Sequence, residues 1–170
     1  GYAFDGWYKA DGMRLDVADP VTVTENLALT GWLYAPVTSE SELTAALADS
    51  SIDVIRLTND ITLTAELQIT DGRKVTLDLN GRVLDLGEKH ILVNGTVDHF
   101  STLTIMDSAP AEEHNFTDTN GLWVLDTDGD KTVKGGVITG GSNTSGGAMV
   151  VDWWGTVTMN GGNIVGCSAS

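Results

Sequence analysis

The chain reads as an all-β protein built around a β-solenoid, with a short helix at the head of the solenoid and a small β module before it. Three observations carry that reading. The phrase Gly135-Gly136-Val137-Ile138-Thr139-Gly140 returns as Gly161-Gly162-Asn163-Ile164-Val165-Gly166, 26 residues later, the spacing at which one short strand and its corners repeat as coils stack. Residues 74–81 alternate strictly, with Val75, Leu77 and Leu79 expected inward and Thr76, Asp78 and Asn80 outward. Twenty glycines against three prolines in 170 residues, with abundant Thr, Val, Ile and Leu, fit β structure broken by tight corners.

Residues 1–35 differ from the rest. Gly1-Tyr2-Ala3-Phe4-Asp5-Gly6-Trp7-Tyr8 is rich in aromatic side chains, and Tyr2 and Phe4 fall on one face of a strand. Asp11-Gly12 is a turn signal, Pro20-Val21-Thr22 opens another extended stretch, and Asn26-Leu27-Ala28-Leu29 leads to Trp32 and Tyr34. So short a segment buries little alone and reads as part of a small β module. Residues 36–38 read as a linker, and 39–170 as helix plus coils.

Ser39-Glu40-Ser41-Glu42 has the spacing of a capping box, in which a hydroxyl and a carboxylate satisfy the orphan amides at a helix start. Leu43, Ala46 and Leu47 then share one face until Asp49-Ser50-Ser51 ends the run. A short amphipathic helix there would plug the first coil, whose apolar interior otherwise meets water.

From Val54 the pattern is nearly all strand: Val54–Thr58, Ile61–Leu63, Leu67–Ile69, Lys74–Gly81, Val83–Leu86, Ile91–Val93 and Leu103–Met106. Residues 108–120 read as a polar loop leaving the stack, and Leu122-Trp123-Val124-Leu125 as its resumption. At the observed period there is room for roughly four or five coils.

The opening motif Gly-Tyr-x-Phe-Asp-Gly-Trp-Tyr, followed by Pro-Val-Thr and Glu-Asn-Leu-x-Leu, resembles the internalin-type B-repeat, or Listeria–Bacteroides repeat. The resemblance covers roughly residues 1–35 and implies a partial β-grasp-like module of the kind strung in tandem on bacterial surface proteins. The family usually ends Leu-Tyr-Ala-x-Trp, whereas Trp32-Leu33-Tyr34-Ala35 inverts that order. Leu-Asp-Leu-Asn-Gly, then Leu-Thr-Ile-Met-Asp-Ser, then Gly-Gly-x-Ile-x-Gly resemble the right-handed parallel β-helices of secreted bacterial proteins, related in fold to pectate lyases. That second resemblance covers roughly residues 37–170. It speaks to fold and surface context, because the fold hosts lyases, hydrolases, adhesins and stalks alike.

Charge narrows the partners. A formal net charge of −15, from 24 acidic and 9 basic side chains, argues against nucleic acid and anionic membrane. It is compatible with calcium, with a cationic partner or with solubility outside the cell. No apolar run is long enough to span a bilayer, so no membrane insertion is expected in this segment. Cys167 is the single cysteine; it matches Gly141 of the preceding coil and reads as a filler of a small core gap. The chain opens without Met and reads as a piece of a longer protein, truncated in its last coil.

No complete catalytic constellation is present. Asp126-Thr127-Asp128-Gly129-Asp130 places alternate carboxylates around a Gly turn, either a calcium site with Asp126, Asp128 and Asp130 as ligands or a solvated acidic turn. Asp78, Asn80, Asp85 and Asp107 could line the flank of neighbouring coils, where a lyase or glycoside hydrolase would set paired carboxylates beside a cation. Arg56, Arg73, Lys74, Arg82 and Lys89 are the nearby cations, and none falls in a catalytic motif. Trp153-Trp154 is the most unusual pair. On a regular strand one of the two faces out, where an indole can stack on a sugar ring, unless a neighbouring segment covers it.

These readings converge on a secreted or wall-attached bacterial surface protein, acting as an adhesin, a carbohydrate-recognition segment or a stalk. Trp153, Trp154, Asp78 and Asn80 are the candidate contacts for a host or dietary glycan or a surface protein. A polysaccharide lyase or hydrolase module and a purely structural spacer are the alternatives.

Overall fold

A computed structural model describes residues 1–9, 14–15 and 28–169. The expected turn at Asp11-Gly12, the stretch Pro20-Val21-Thr22 and the start of Asn26-Leu27 lie outside the described residues. The regular structure of the described residues is almost all β, with one helix.

Strand β1 (Ala3–Lys9) pairs antiparallel with β2 (Leu29–Val37), with a register shift between Phe4 and Gly6. Helix α1 (Glu40–Ala48) follows, and its cap forms as the sequence predicts: the Ser39 side chain accepts from the Glu42 amide. The Glu42 carboxylate, however, reaches back to the Thr38 amide and hydroxyl at 2.7 and 2.8 Å, one residue further upstream than a capping box places it. Leu43, Ala46 and Leu47 are the buried residues of the helix.

Strands then recur in triplets. The first is β3 (Val54–Leu57), β4 (Ile61–Thr62) and β5 (Leu67–Ile69); the second is β6 (Lys74–Asp78), β7 (Val83–Asp85) and β8 (Ile91–Val93). The third begins with β9 (Ser101–Met106), is interrupted by β10 (Glu113–Thr119), β11 (Leu122–Leu125) and β12 (Lys131–Lys134), and resumes with β13 (Val137–Thr139) and β14 (Met149–Val151). A fourth set opens with β15 (Gly155–Met159) and β16 (Asn163–Ile164).

Corresponding strands pair in parallel and build three sheets: β2-β3-β6-β9-β15, with β1 at its edge, then β4-β7-β13-β16, then β5-β8-β14. The 26-residue repeat is the register itself, for Val137 pairs with Asn163 and Ile138 with Ile164. Aliphatic side chains of successive rungs therefore stack inward: Ile55 on Leu77 on Ile105 in the first sheet, Leu67 on Ile91 in the third. All five are buried in one core that also holds the apolar face of α1. Burial of each such side chain contributes about 1.5–3 kcal/mol, and α1 closes the end of the stack at which the first rung lies.

Four expectations are corrected. Residues 36–38 do not form a linker, because β2 runs through Val37 and pairs Ala35, Pro36 and Val37 with Ile55, Arg56 and Leu57. Proline is tolerated there because β1 faces only Leu29 to Tyr34, so Pro36 has no ladder partner on that side.

Leu122–Leu125 does not resume the stack. It pairs with β10 in a separate antiparallel sheet of order β11-β10-β12. This insert has its own core of Phe116 and Val133 packed on Val137, with Trp123 and Val165 against them. It covers the outside of the second sheet, which is why all three residues of β13 are buried. The insert takes up about one coil's worth of chain, so the described residues hold three full triplets and part of a fourth rather than four or five.

Asp78 is not open to solvent on its outward face. It is fully buried, under the Arg56 guanidinium and the Ser108 amide.

Candidate functional site

Each rung turns from the third sheet into the first at the same corner. In the first rung this is Thr70-Asp71-Gly72-Arg73, closed by the Arg73 amide donating to the Thr70 carbonyl at 2.9 Å, with positive φ at Asp71 (56°) and Gly72 (78°). In the third rung it is Asp152-Trp153-Trp154-Gly155, closed likewise from the Gly155 amide to the Asp152 carbonyl at 2.8 Å. Trp154 occupies the place that Gly72 holds, at φ 59°. A side chain there costs about 1–3 kcal/mol of backbone strain and persists because its surroundings enforce it.

The enforcing contacts come from the rung beneath and from the corner's own Asp152. The Gly95 amide donates to the Trp153 carbonyl at 2.8 Å and the Ser101 amide to the Trp154 carbonyl at 3.1 Å, while the Asp152 carboxylate accepts from the Trp153 amide at 2.8 Å. Gly155 is packed so tightly that a Cβ would meet the Val93 carbonyl. With its backbone so held, the corner turns both indoles outward: Trp153 is 74% and Trp154 44% exposed. The sequence placed one of them inside, on the premise of a regular strand; a turn does not alternate.

Phe100, from the corner of the second rung, joins them. It is 50% exposed, and its ring stands edge-on to Trp154 at 5.4 Å between centroids. Val97 and Val151 are also exposed near this corner. Phe100 escaped the sequence reading; its position directly before the strand Ser101–Met106, the register partner of Gly155–Met159, was the available signal.

The other candidates lie elsewhere and are already bonded within the chain. Asp78 and Asn80 sit at the opposite end of the first-sheet strands. The Asp78 carboxylate accepts from Arg56 Nε at 2.6 Å, the Asn80 amide at 3.0 Å and the Ser108 amide at 2.9 Å. The Asn80 side chain donates to the Leu57 carbonyl at 3.0 Å and accepts from the Ser108 hydroxyl at 3.1 Å. Arg56 donates in addition to Asp5 at 2.5 Å, and the two carboxylates hold it more firmly protonated than an ordinary arginine, against the pull of its burial.

In the acidic turn of the insert, Asp126 accepts from the Thr117 hydroxyl at 2.7 Å and the Asp128 amide at 3.1 Å, which holds its carboxyl below the usual range. Asp130 pairs with Lys131 at 3.0 Å. Among the described residues no three His, Cys, Asp or Glu side chains are gathered as a metal would need, and Asp126, Asp128 and Asp130 are not brought together. Cys167 packs at the border of the core, and burial pushes its thiol up.

A family model described as "Putative pectate lyase-like adhesive domain" matches residues 34–168. The chain belongs to this family. No curated protein and no solved structure matches it. The match to the pectate lyase-like adhesive domain begins inside β2, at the residues that pair with β3, and takes in every rung, the insert and the Trp153–Trp154 corner. Strand β1 and the first part of β2 precede it. Among the described residues of this adhesive domain no helix is long and apolar enough to cross a membrane.

Proposed function

We propose that this chain is an adhesive segment of a bacterial surface protein, a right-handed parallel β-helix that binds carbohydrate through Trp153 and Trp154 with Phe100 beside them. The strained, exposed Trp154 carries the reading. A residue in a slot that suits glycine is costly to the fold, and its ring is offered to solvent where it can stack on the apolar face of a sugar. Membership in the pectate lyase-like adhesive family supports adhesion, and the parallel strand order supports the β-helix.

The segment works outside the cell or on the wall, and residues 1–35 form a partial B-repeat-like module ahead of it. A lyase or hydrolase would want a carboxylate and a cation open to one groove; Arg56 and Asp78 are instead paired with side-chain exposures of 11% and 0%.

The test is a polysaccharide and glycan panel, with and without calcium, scored for both retention and chain cleavage. Retention without cleavage, abolished in Trp153→Ala or Trp154→Ala, is the expected result. Cleavage would replace recognition with catalysis, and silence in every well would leave a structural spacer.

A further inference from the structure

The outer face of the first sheet, next to the aromatic corner, carries a ladder of threonines. β9 presents Thr102 and Thr104 between buried Ser101, Leu103 and Ile105, and β15 presents Thr156 and Thr158 in the same alternation. Their registers are aligned: Lys74, Thr102 and Thr156 form one row across the strands, and Thr76, Thr104 and Thr158 the next. Phe100 and Trp154 each stand two residues before the first threonine of their strand, so the aromatic pair runs alongside the first of these rows, from one rung to the next. A shallow groove of ≈ 320 Å³ lies over Thr76, Thr102 and Thr104, between Asp53 and Lys74.

Resting on the carbohydrate reading above, we propose that the ligand is a neutral, linear polysaccharide that lies along these rows beside the aromatic pair, rather than a single terminal sugar. Hydroxyls recur along the stack at the strand spacing of about 4.8 Å, which suits a polymer whose own hydroxyls recur at a fixed interval. Threonine adds a methyl beside each hydroxyl, so the face offers polar and apolar contact together.

Charge selects against polyuronates. Among the described residues Lys74 is the one cation lining the groove and Asp53 offsets it. At the corner Asp71 and Asp152 outnumber Arg73, whose guanidinium is turned to the Leu47 and Ile52 carbonyls, and the chain as a whole carries −15. A polyanion would be repelled, whereas a neutral polyol meets no such barrier.

The experiment compares bioses and hexaoses of neutral β-1,4-linked glucan, mannan and xylan with a hexameric oligogalacturonate, by calorimetric titration. The proteins are the wild type, Trp154→Ala, and the triple variant Thr102→Val, Thr104→Val, Thr158→Val. Valine keeps the shape and strand preference of threonine and removes only the hydroxyl, and circular dichroism checks that each variant is folded. Wild type should bind at least one neutral hexaose about tenfold more tightly than its biose. The triple variant should lose that gain and keep the biose, while Trp154→Ala loses both.

Equal affinity for biose and hexaose, or an unchanged triple variant, overturns the extended-chain proposal and leaves corner recognition standing. Tight binding of the oligogalacturonate overturns the selection for neutral chains. No binding of any chain by folded wild type overturns both this proposal and the recognition reading beneath it.

Discussion

Arg56 reaches from the second strand of the parallel sheet to Asp78 on the third, Nε to Oδ2 at 2.6 Å, and to Asp5 at 2.5 Å with its other nitrogen. Tyr34 lies under the guanidinium at 4.0 Å, and the Tyr8 hydroxyl donates to Asp5. One side chain thus fastens the N-terminal hairpin to the rungs, and it does so on a face where neither carboxylate has much water. A buried pair of this kind is costly to break, because the partner left behind keeps its charge without compensation. Arg56→Met is expected to destabilise the protein by about 3–5 kcal/mol, measured by urea unfolding. The double variant Arg56→Met, Asp78→Leu should not recover that loss, because Asp5 still keeps its charge and the Asn80 and Ser108 amides lose their acceptor.

The hairpin clamp is also pH-dependent. Burial raises the Asp5 carboxyl, but the hydrogen bonds from Arg56 and Tyr8 outweigh it and hold the group below its ordinary value of 3.8. The stabilisation is therefore complete above that value and is lost as pH falls through the depressed folded value. Glu40, Glu42, Asp49 and Asp126 are lowered as well, so the acid limb has several contributors. Stability profiles of wild type and Asp5→Asn should converge as pH drops below about 4, and parallel profiles there would show that the Asp5 clamp does not matter.

Asp107 closes the base of the insert. One carboxylate oxygen accepts from the Gly81 amide at 2.7 Å and the Ala109 amide at 3.3 Å, and the other accepts from the Gly136 amide at 2.7 Å. The chain leaves the stack just after Asp107 and returns at Gly136, so a single carboxylate ties both ends to the corner below. Asp107→Ala should cost about 1–3 kcal/mol, with hydrogen exchange accelerated at Gly81 and Gly136 rather than in α1.

Trp154→Gly separates strain from function. Glycine relieves the positive φ, worth about 1 kcal/mol or more, while losing the edge contact to Phe100, worth about 0.5–1.5 kcal/mol. The melting temperature should therefore move little, and retention on the responsive glycan should disappear. A large fall in stability would mark the indole as a structural wedge instead.

The rungs were legible because their chemistry is local. Alternation along Lys74–Asp78, the doubled Gly-Gly-x-Ile-x-Gly phrase and the Ser39 cap are each set by a few consecutive residues, and each became the strand, register or helix start it predicts. The insert was misread at Leu122–Leu125 because an apolar run does not say which sheet it joins; β10 claims it through pairing that no short window contains. Asp78 was placed outward for the same reason, since alternation assigns a face but not what covers it.

By itself, then, the sequence determined an all-β chain of repeated short strands with a helix at their head, because side-chain period and corner glycines act within a few residues. Tertiary structure alone decided that Asp5, Arg56 and Asp78 form one buried chain of charge, that Asp107 clasps the insert, and that Trp153, Trp154 and Phe100 share a corner. The partners in each group (Arg56 with Asp5 and Asp78, Asp107 with Gly81 and Gly136, Phe100 with Trp154) lie a rung or more apart in sequence, and only the stacking of one turn of chain on another brings them within contact distance.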